Sequence, residues 1–353
     1  MAGLHDVRVL ELASVLAGPL AATALAERGA TVTKVELPPH GDVTRTWKST
    51  SEEPNAPSSA YYECANGDKT IVWQDLSSRE GKAWLDEALA EHDVLIQNFK
   101  AADLAKFGLD PEDLAKRHPH LVHVRLVGFA DAPERLAYDV VVQAETGFMH
   151  LNGFENQPPV RMPVALMDVL ASHQIRMAVM EGLLERTSGV TGFYAEVSLE
   201  ASGITALVNQ GTNHLIAGSS PHRNGGLHPN IAPYGETLAC SDGYVVLAVG
   251  NDRQFEGLCA CLGVTEALQD ERFATNASRV RNRLPLLERL NEHAATWNKV
   301  QLERALRDHG VPAGVVRSLP EVFQAGGVGQ DWTVTNASGA QRPAAVAYRV
   351  QRF

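Results

Sequence analysis

The chain has 353 residues, 44% hydrophobic and 21% charged, a balance that suits a globular protein with a sizeable core and room for two domains. Its 31 Lys and Arg against 42 Asp and Glu leave a formal charge of -11, which repels phosphate backbones and anionic lipid, so neither nucleic acid nor a membrane is expected as a partner. "MAGLHDVRVL" has no basic-then-apolar leader, no apolar run is long enough to span a bilayer, and four scattered cysteines lack a CxxC pair, so a cytoplasmic location is expected.

"VRVLELA" (7–13) predicts a strand, "AGPLAATALAERGA" (17–30) a helix closed by Gly29, and "TVTKVE" (31–36) a second strand, together a βαβ unit. "KTIVW" and "DVLIQNF" continue the strand rhythm around "SSREGKAWLDEALAEH", which opens on serine caps and sets Trp84, Leu85, Ala88 and Leu89 on one helical face. "LDPEDLAKRHP" reads as a short helix and "LVHVRLVGF" as another strand, so the first 130 residues alternate like a parallel sheet covered by helices.

Residues 168–186 are helical by composition, and "SSPHRNGGLHPNIAPYGE" is dense in turn formers. "GYVVLAVG", three helical segments and "VPAGVV" then make a second unit. The fold class is therefore α/β, with a Rossmann-like parallel-sheet large domain over 1–200, a linker over 201–228, a small α+β domain over 229–322, and a C-terminal segment, 323–353, returning to the large domain.

The opening βαβ unit raises the question of a dinucleotide. A Rossmann fingerprint needs three glycines so that backbone can approach pyrophosphate, but "VLAGPLAATAL" has Gly18 alone, followed by Pro19, which suits the first helical position. Glu36, at a strand end, is a weak candidate for a ribose partner. There is no GxxxxGK[ST], GxSxG or HExxH motif; His118 and His120 fall in a turn and His123 in a strand pattern of alternating sides, and surface turn histidines are the preferred reading of the cluster over a metal site.

The order of short motifs is more informative than any one of them. "VLELASVLAGPLAATALAERGATVTKVE", "GDVTRTW", "NGDKTIVWQDL", "DVLIQNF", "FGLDPEDL", "YDVVVQAETG", "APYGETLACSDGYVVLAVGNDRQF" and "GVPAGVV" resemble, in register from about residue 5 to 320, the class III CoA-transferases. That group includes formyl-CoA and carnitine CoA-transferases and is homologous with α-methylacyl-CoA racemase. The resemblance implies a Rossmann-like large domain, a smaller domain, a homodimer of interlocked chains, and acyl-CoA and a carboxylic acid as substrates, with coenzyme A as the nucleotide and no metal.

The resemblance also implies that Asp168 in "RMPVALMDVLASHQ" is the nucleophile that attacks the donor thioester, although a plain helix cap is the alternative for any aspartate before an apolar helix. Tyr138 matches a tyrosine near the thioester, where the racemase branch has a histidine. A tyrosine of ordinary pKa, about 10, is a poor base at neutral pH, so it favours transfer over racemisation.

Asn98, Phe99, Lys106 and Phe107 match the segment that contacts coenzyme A, with Lys106 as a point charge for phosphate and Phe107 able to cover adenine. Arg45 and Trp47 in "GDVTRTW" match a motif bordering the active site, and Asn66 and Lys69 match an "NxxK" before the next strand. Leu16 replaces the glutamine of formyl-CoA transferase, which argues against formate and oxalate chemistry. In the altered "GFADAPERLAYD" segment Arg135 reads equally as a substrate-facing base near Tyr138 or as an exposed loop arginine; it or Arg45, facing the pocket, would suit a dicarboxylate. Two other readings stay open: an acyl-CoA racemase or epimerase, and a catalytically silent acyl-CoA-binding member, the latter suggested by the changed "VGNDRQF" loop and the short tail.

Overall fold

In a computed structural model describing residues 4–219 and 221–351, the first apolar run forms β1 (Arg8–Glu11), the alanine-rich segment α1 (Ala17–Glu27), and the next run β2 (Thr31–Glu36). After α2 (Ala60–Asn66) come β3 (Thr70–Trp73), α3 (Arg79–Glu91), β4 (Val94–Gln97), α4 (Ala101–Phe107), α5 (Pro111–Arg117) and β5 (Val122–Val127). Past α6 (Asp139–Glu145), α7 (Phe148–Leu151) and the long α8 (Leu166–Thr187), β6 (Tyr194–Ser198) completes the sheet.

The six strands are parallel in the order β3-β2-β1-β4-β5-β6. This is a Rossmann-like, doubly wound sheet whose strand order reverses between β1 and β4, the position where such folds open a ligand crevice at the carboxyl ends of the strands. β4 and β5 are buried along their whole lengths, as a parallel sheet covered on both faces requires.

On one face, the small residues Ala17, Ala21 and Ala22 of α1 pack with Met167, Ala171, Ile175 and Val179 of α8 over Val9, Val94 and Val124. On the other, Leu85 and Leu89 of α3, Leu104 of α4 and Leu114 of α5 cover Leu10 and Leu95. Each fully buried Leu or Val of this kind contributes about 1.5–3 kcal/mol.

The second unit has a three-stranded antiparallel sheet, ordered β7 (Tyr234–Cys240), β8 (Gly243–Ala248) and β9 (Ala313–Val315). Its core is built by α11 (Asp252–Leu262), α13 (Arg283–Ala294) and α14 (Lys299–Asp308) through Phe255, Leu258, Leu286, Leu290, Leu302 and Leu306; α12 (Asn276–Arg281) and α15 (Leu319–Phe323) complete it.

The chain divides into one unit of Met1–His150, Arg161–Gly218 and Gly329–Phe353 and another of Leu151–Val160 and Ser219–Val328. In the first unit, the hairpin of β10 (Thr333–Thr335) and β11 (Gln341–Pro343) is fixed by Arg342, which is ion-paired to Glu27 and to Asp68 at 2.9 Å, and by Asn336, which donates to Glu63 at 2.8 Å.

Two expectations change. The linker assigned to 201–228 is helical up to Ala217, as α9 (Leu199–Ala206) and α10 (Val208–Ala217), and Gly203 within it lies where a Cβ would meet the Met167 sulfur at 2.8 Å. That glycine is a close-packing residue. His118 and His123 are buried rather than surface residues: the His118 ring lies 3.3 Å from Asp86, and His123 faces Gln97 at 3.2 Å. Among the described residues, no helix is long and apolar enough to cross a membrane.

Candidate active site

The turn between β1 and α1 is bent into a conformation that β-branched residues avoid. Val15 has φ 72° and is held there by its N–H donating to Asp42 Oδ2 at 3.2 Å. The neighbouring Ser14 exchanges two bonds with the Asn98 side chain, its N–H donating to Oδ1 at 3.2 Å and its carbonyl accepting from Nδ2 at 3.1 Å. Gly18 then lets α1 start against the strand, since a Cβ there would lie 2.5 Å from that of Ala13.

Beneath this turn lies a buried set of alternating charges. Lys34 donates to Glu11 Oε1 at 2.8 Å and to the Ala13 carbonyl at 2.8 Å, and pairs with Asp42 at 3.1 Å; Lys69 pairs with Glu11 and donates to the Pro19 carbonyl at 2.8 Å. Burial alone would lower the Lys34 pKa, but Glu11 and Asp42 together raise it. Two backbone carbonyls of the turn and its following helix are thus tied to fixed cations, so the turn is braced from below.

Asp168 lies in the first turn of α8, 8% exposed, with Ala165 at the N-cap making no side-chain cap. The capping bond comes from another element: Asp139, the first residue of α6, accepts the Met167 N–H at 2.7 Å and the Gln143 side-chain amide at 2.6 Å. Asp168 is therefore not the ordinary helix cap that the sequence allowed. Burial and the nearby Asp139 charge push its carboxyl up to about 7, and the Ala17 backbone N–H, at the start of α1, works in the opposite direction by favouring the charged form.

Tyr61 of α2 sits within the field of both carboxylates. Burial first, then Asp168, push its phenol up to about 12, so it remains a hydroxyl donor at neutral pH. Trp47 packs edge-on against it, with ring centroids 5.1 Å apart.

On the other side of the β1–α1 turn, at the carboxyl ends of β1, β2, β3 and β4, is a cavity of about 290 Å3. Ala13, Ser14, Leu37, Gly41, Ser77, Phe99, Lys106 and Phe107 are among the residues that line it. Phe99 and Phe107 lie with centroids 4.9 Å apart, and the Lys106 ammonium lies 4.9 Å from the Phe107 ring.

Three of the residues singled out from sequence meet in this cavity. Phe99, Lys106 and Phe107 line the cavity, Asn98 braces the β1–α1 turn, Leu16 is buried in that turn, and Trp47 packs on Tyr61, whose phenol is raised by burial and by the Asp168 charge. Tyr138 is 55% exposed at the N-cap of α6, next to Asp139.

The two arginines expected to face substrate are instead engaged by acids. Arg45 forms a bidentate pair with Glu36, at 2.6 and 2.9 Å, and donates to the Tyr62 hydroxyl at 2.6 Å. Arg135 pairs with Glu145 through both terminal nitrogens. Glu36, weighed above as a ribose partner, is thereby occupied: burial favours its neutral form, but the bonds from Arg45, Tyr62 and the Asp42 N–H hold it below the usual range. Asp139, Gln143, Tyr61 and Asp42 went unremarked in the sequence. Asp42 stood in "GDVTRTW" and Asp139 and Gln143 in "YDVVVQAETG", while Tyr61 lay in no quoted stretch; their roles come from elements brought together from distant positions.

Comparison with known proteins identifies the family. The family model described as CoA-transferase family III matches residues 4–352. A succinate–glutarate CoA-transferase of Agrobacterium fabrum is 38% identical over 326 residues, covering 91% of this chain and 81% of its own. The human succinyl-CoA:glutarate CoA-transferase is 32% identical over 323 residues, covering 91% and 73%. The crystal structure of a CAIB/BAIF family protein from Brucella suis superposes with a TM-score of 0.86 at 35% identity, covering 99% of this chain and 93% of that one. With a parallel sheet, a crevice at its switch point and a family match along nearly the whole chain, the protein belongs to CoA-transferase family III and is a CoA-transferase.

Proposed function

We propose that this enzyme moves coenzyme A between two dicarboxylic acids, with Asp168 as the nucleophile. The observation that carries the reading is the state of the Asp168 carboxyl: buried in the first turn of α8 and relieved of helix capping by Asp139. The choice of dicarboxylates is supported by the names of the relatives, which act on succinate and glutarate.

The reaction runs in four balanced steps. An Asp168 oxygen attacks the thioester carbonyl of the donor; the C–S bond breaks, giving an acyl-aspartyl anhydride and CoA thiolate. The thiolate attacks the aspartyl carbonyl, releasing the donor acid as its carboxylate and leaving an aspartyl-CoA thioester. The acceptor carboxylate attacks that thioester, expelling thiolate and forming a second anhydride, and the thiolate then takes the acceptor acyl group, returning Asp168 as a carboxylate.

In the second and third steps, negative charge collects on the aspartyl carbonyl oxygen. The Ala17 N–H is the donor suited to that oxygen, and Tyr61 is a neutral donor beside it. Lys106 and Phe107 are assigned to the phosphate and adenine of coenzyme A, with Phe99 packed behind them and Asn98 holding the turn. Leu16 makes the wall over the acyl group apolar, and Trp47 closes the opposite side. Tyr138, with no histidine in its place, favours transfer over racemisation.

The same reading includes a homodimer of interlocked chains. Support for it comes from apolar side chains left exposed on two helices: Met177 (67%) and Leu184 (68%) of α8 and Leu215 (84%) and Ile216 (82%) of α10. Sedimentation equilibrium of the purified protein distinguishes a dimer from a monomer. For the activity, succinyl-CoA is mixed with glutarate, and glutaryl-CoA and succinate are expected in equal amounts. Hydrolysis of succinyl-CoA without glutaryl-CoA would overturn the proposal.

A further inference from the structure

We infer that Arg161 selects the acceptor acid, its guanidinium pairing with the far carboxylate of a dicarboxylate whose near carboxylate reacts at Asp168. This rests on the dicarboxylate reading above and names the residue that would enforce it.

The segment carrying Arg161 is pinned to the catalytic helix by a chain of bonds. The Met162 N–H donates to Gln143 Oε1 at 2.8 Å; the Gln143 amide donates to the Val164 carbonyl at 3.3 Å and to Asp139 at 2.6 Å; and Asp139 accepts the Met167 N–H at 2.7 Å. The backbone of Arg161 is therefore held in register with Asp168 rather than left to a free loop.

Its side chain is available. It is exposed, its one bond is to the neighbouring Met162 carbonyl at 3.3 Å, and among the described residues no carboxylate pairs with it. Arg45 and Arg135, by contrast, are already held by Glu36 and Glu145.

Electrostatics points the same way. Beyond burial, Asp168 and Asp139 raise the Tyr61 phenol and Arg161, more weakly, lowers it, so the guanidinium lies within electrostatic range of the phenol that Asp168 also influences. A substrate with two negative charges approaches two buried carboxylates in a protein of net charge -11, and it needs a local cation to be retained. The planar fork of an arginine suits that task and selects for a second carboxylate.

The test is a competition between glutarate and butyrate for coenzyme A from one donor, so that any effect on the donor cancels in the product ratio. In R161Q the glutarate preference is expected to fall about 10- to 100-fold, the range for a lost charge-assisted pair. In R161K it should fall less, because the charge stays while the fork is lost. A wild type that prefers glutarate and an R161Q enzyme with the same preference would overturn the assignment of Arg161 alone. A wild type that transfers to butyrate and not to glutarate would overturn the dicarboxylate reading with it.

Discussion

Asp139 and Asp168 are two buried carboxylates in unlike settings: Asp139 is fixed by the Met167 N–H at 2.7 Å, while Asp168 is pushed up to about 7 by burial and by Asp139. If the ionised Asp168 is the nucleophile, kcat/KM for the donor thioester should fall as pH drops below about 7. Asp139→Asn keeps an acceptor for the Met167 N–H but removes the charge, so the acidic limb should move to lower pH. A pH–rate profile of CoA exchange checks this; an unmoved limb would separate the two residues.

The same shift makes a stability prediction. Asp168 holds its proton more tightly folded than unfolded, so its contribution to stability is fully present below the ordinary value of 3.8 and is lost as pH rises toward about 7. Asp168→Asn removes that dependence. Its gain in unfolding free energy should be on the order of 2–3 kcal/mol larger at pH 8 than at pH 5, at about 1.4 kcal/mol per unit, as read from urea denaturation at the two pH values.

The β1–α1 turn should be sensitive from below and from the side. Asp42→Ala removes one of the two carboxylates on Lys34 and the acceptor of the Val15 N–H, and because Glu11 still pairs with Lys34 the cost is expected below the about 3–5 kcal/mol of breaking a lone buried ion pair. Gly18→Ala drives a methyl into Ala13, an overpacking cost of about 1–3 kcal/mol. Thermal unfolding measures both; wild-type stability in Asp42→Ala would mean that the charge set does not brace the turn.

For the cavity, Lys106→Gln is expected to raise KM for acyl-CoA about three- to tenfold, with the ratio shrinking as salt is added because the lysine is exposed. Phe107→Ala should raise it by a similar factor through lost stacking, about 0.5–1.5 kcal/mol, but without the salt dependence. Steady-state kinetics at two ionic strengths separate the two effects.

The sheet was legible because its strands carry dense β-branched runs: "TVTKVE" is β2 to the residue, and the helix formers before it are α1. The helices missed were those whose apolar pattern is weak or interrupted. α10 exposes Leu215 and Ile216 and carries Gly211 and two asparagines, so its sequence looks like a connection. Asp168 stood out through the resemblance, but the reason it is not a cap lies in Asp139, 29 positions earlier and joined to it only by the fold. Arg45 and Arg135 looked like substrate cations because no local pattern tells that Glu36 and Glu145 will close on them.

The central claim is that the Asp168 carboxylate carries coenzyme A between the two acids. It is tested most directly by quenching the enzyme with hydroxylamine during turnover of succinyl-CoA, without acceptor, and mapping the modified peptide by mass spectrometry. The account predicts a hydroxamate on Asp168, dependent on succinyl-CoA and missing from Asp168→Ala. A hydroxamate on another residue, or glutaryl-CoA formed at the wild-type rate by Asp168→Ala, would contradict it.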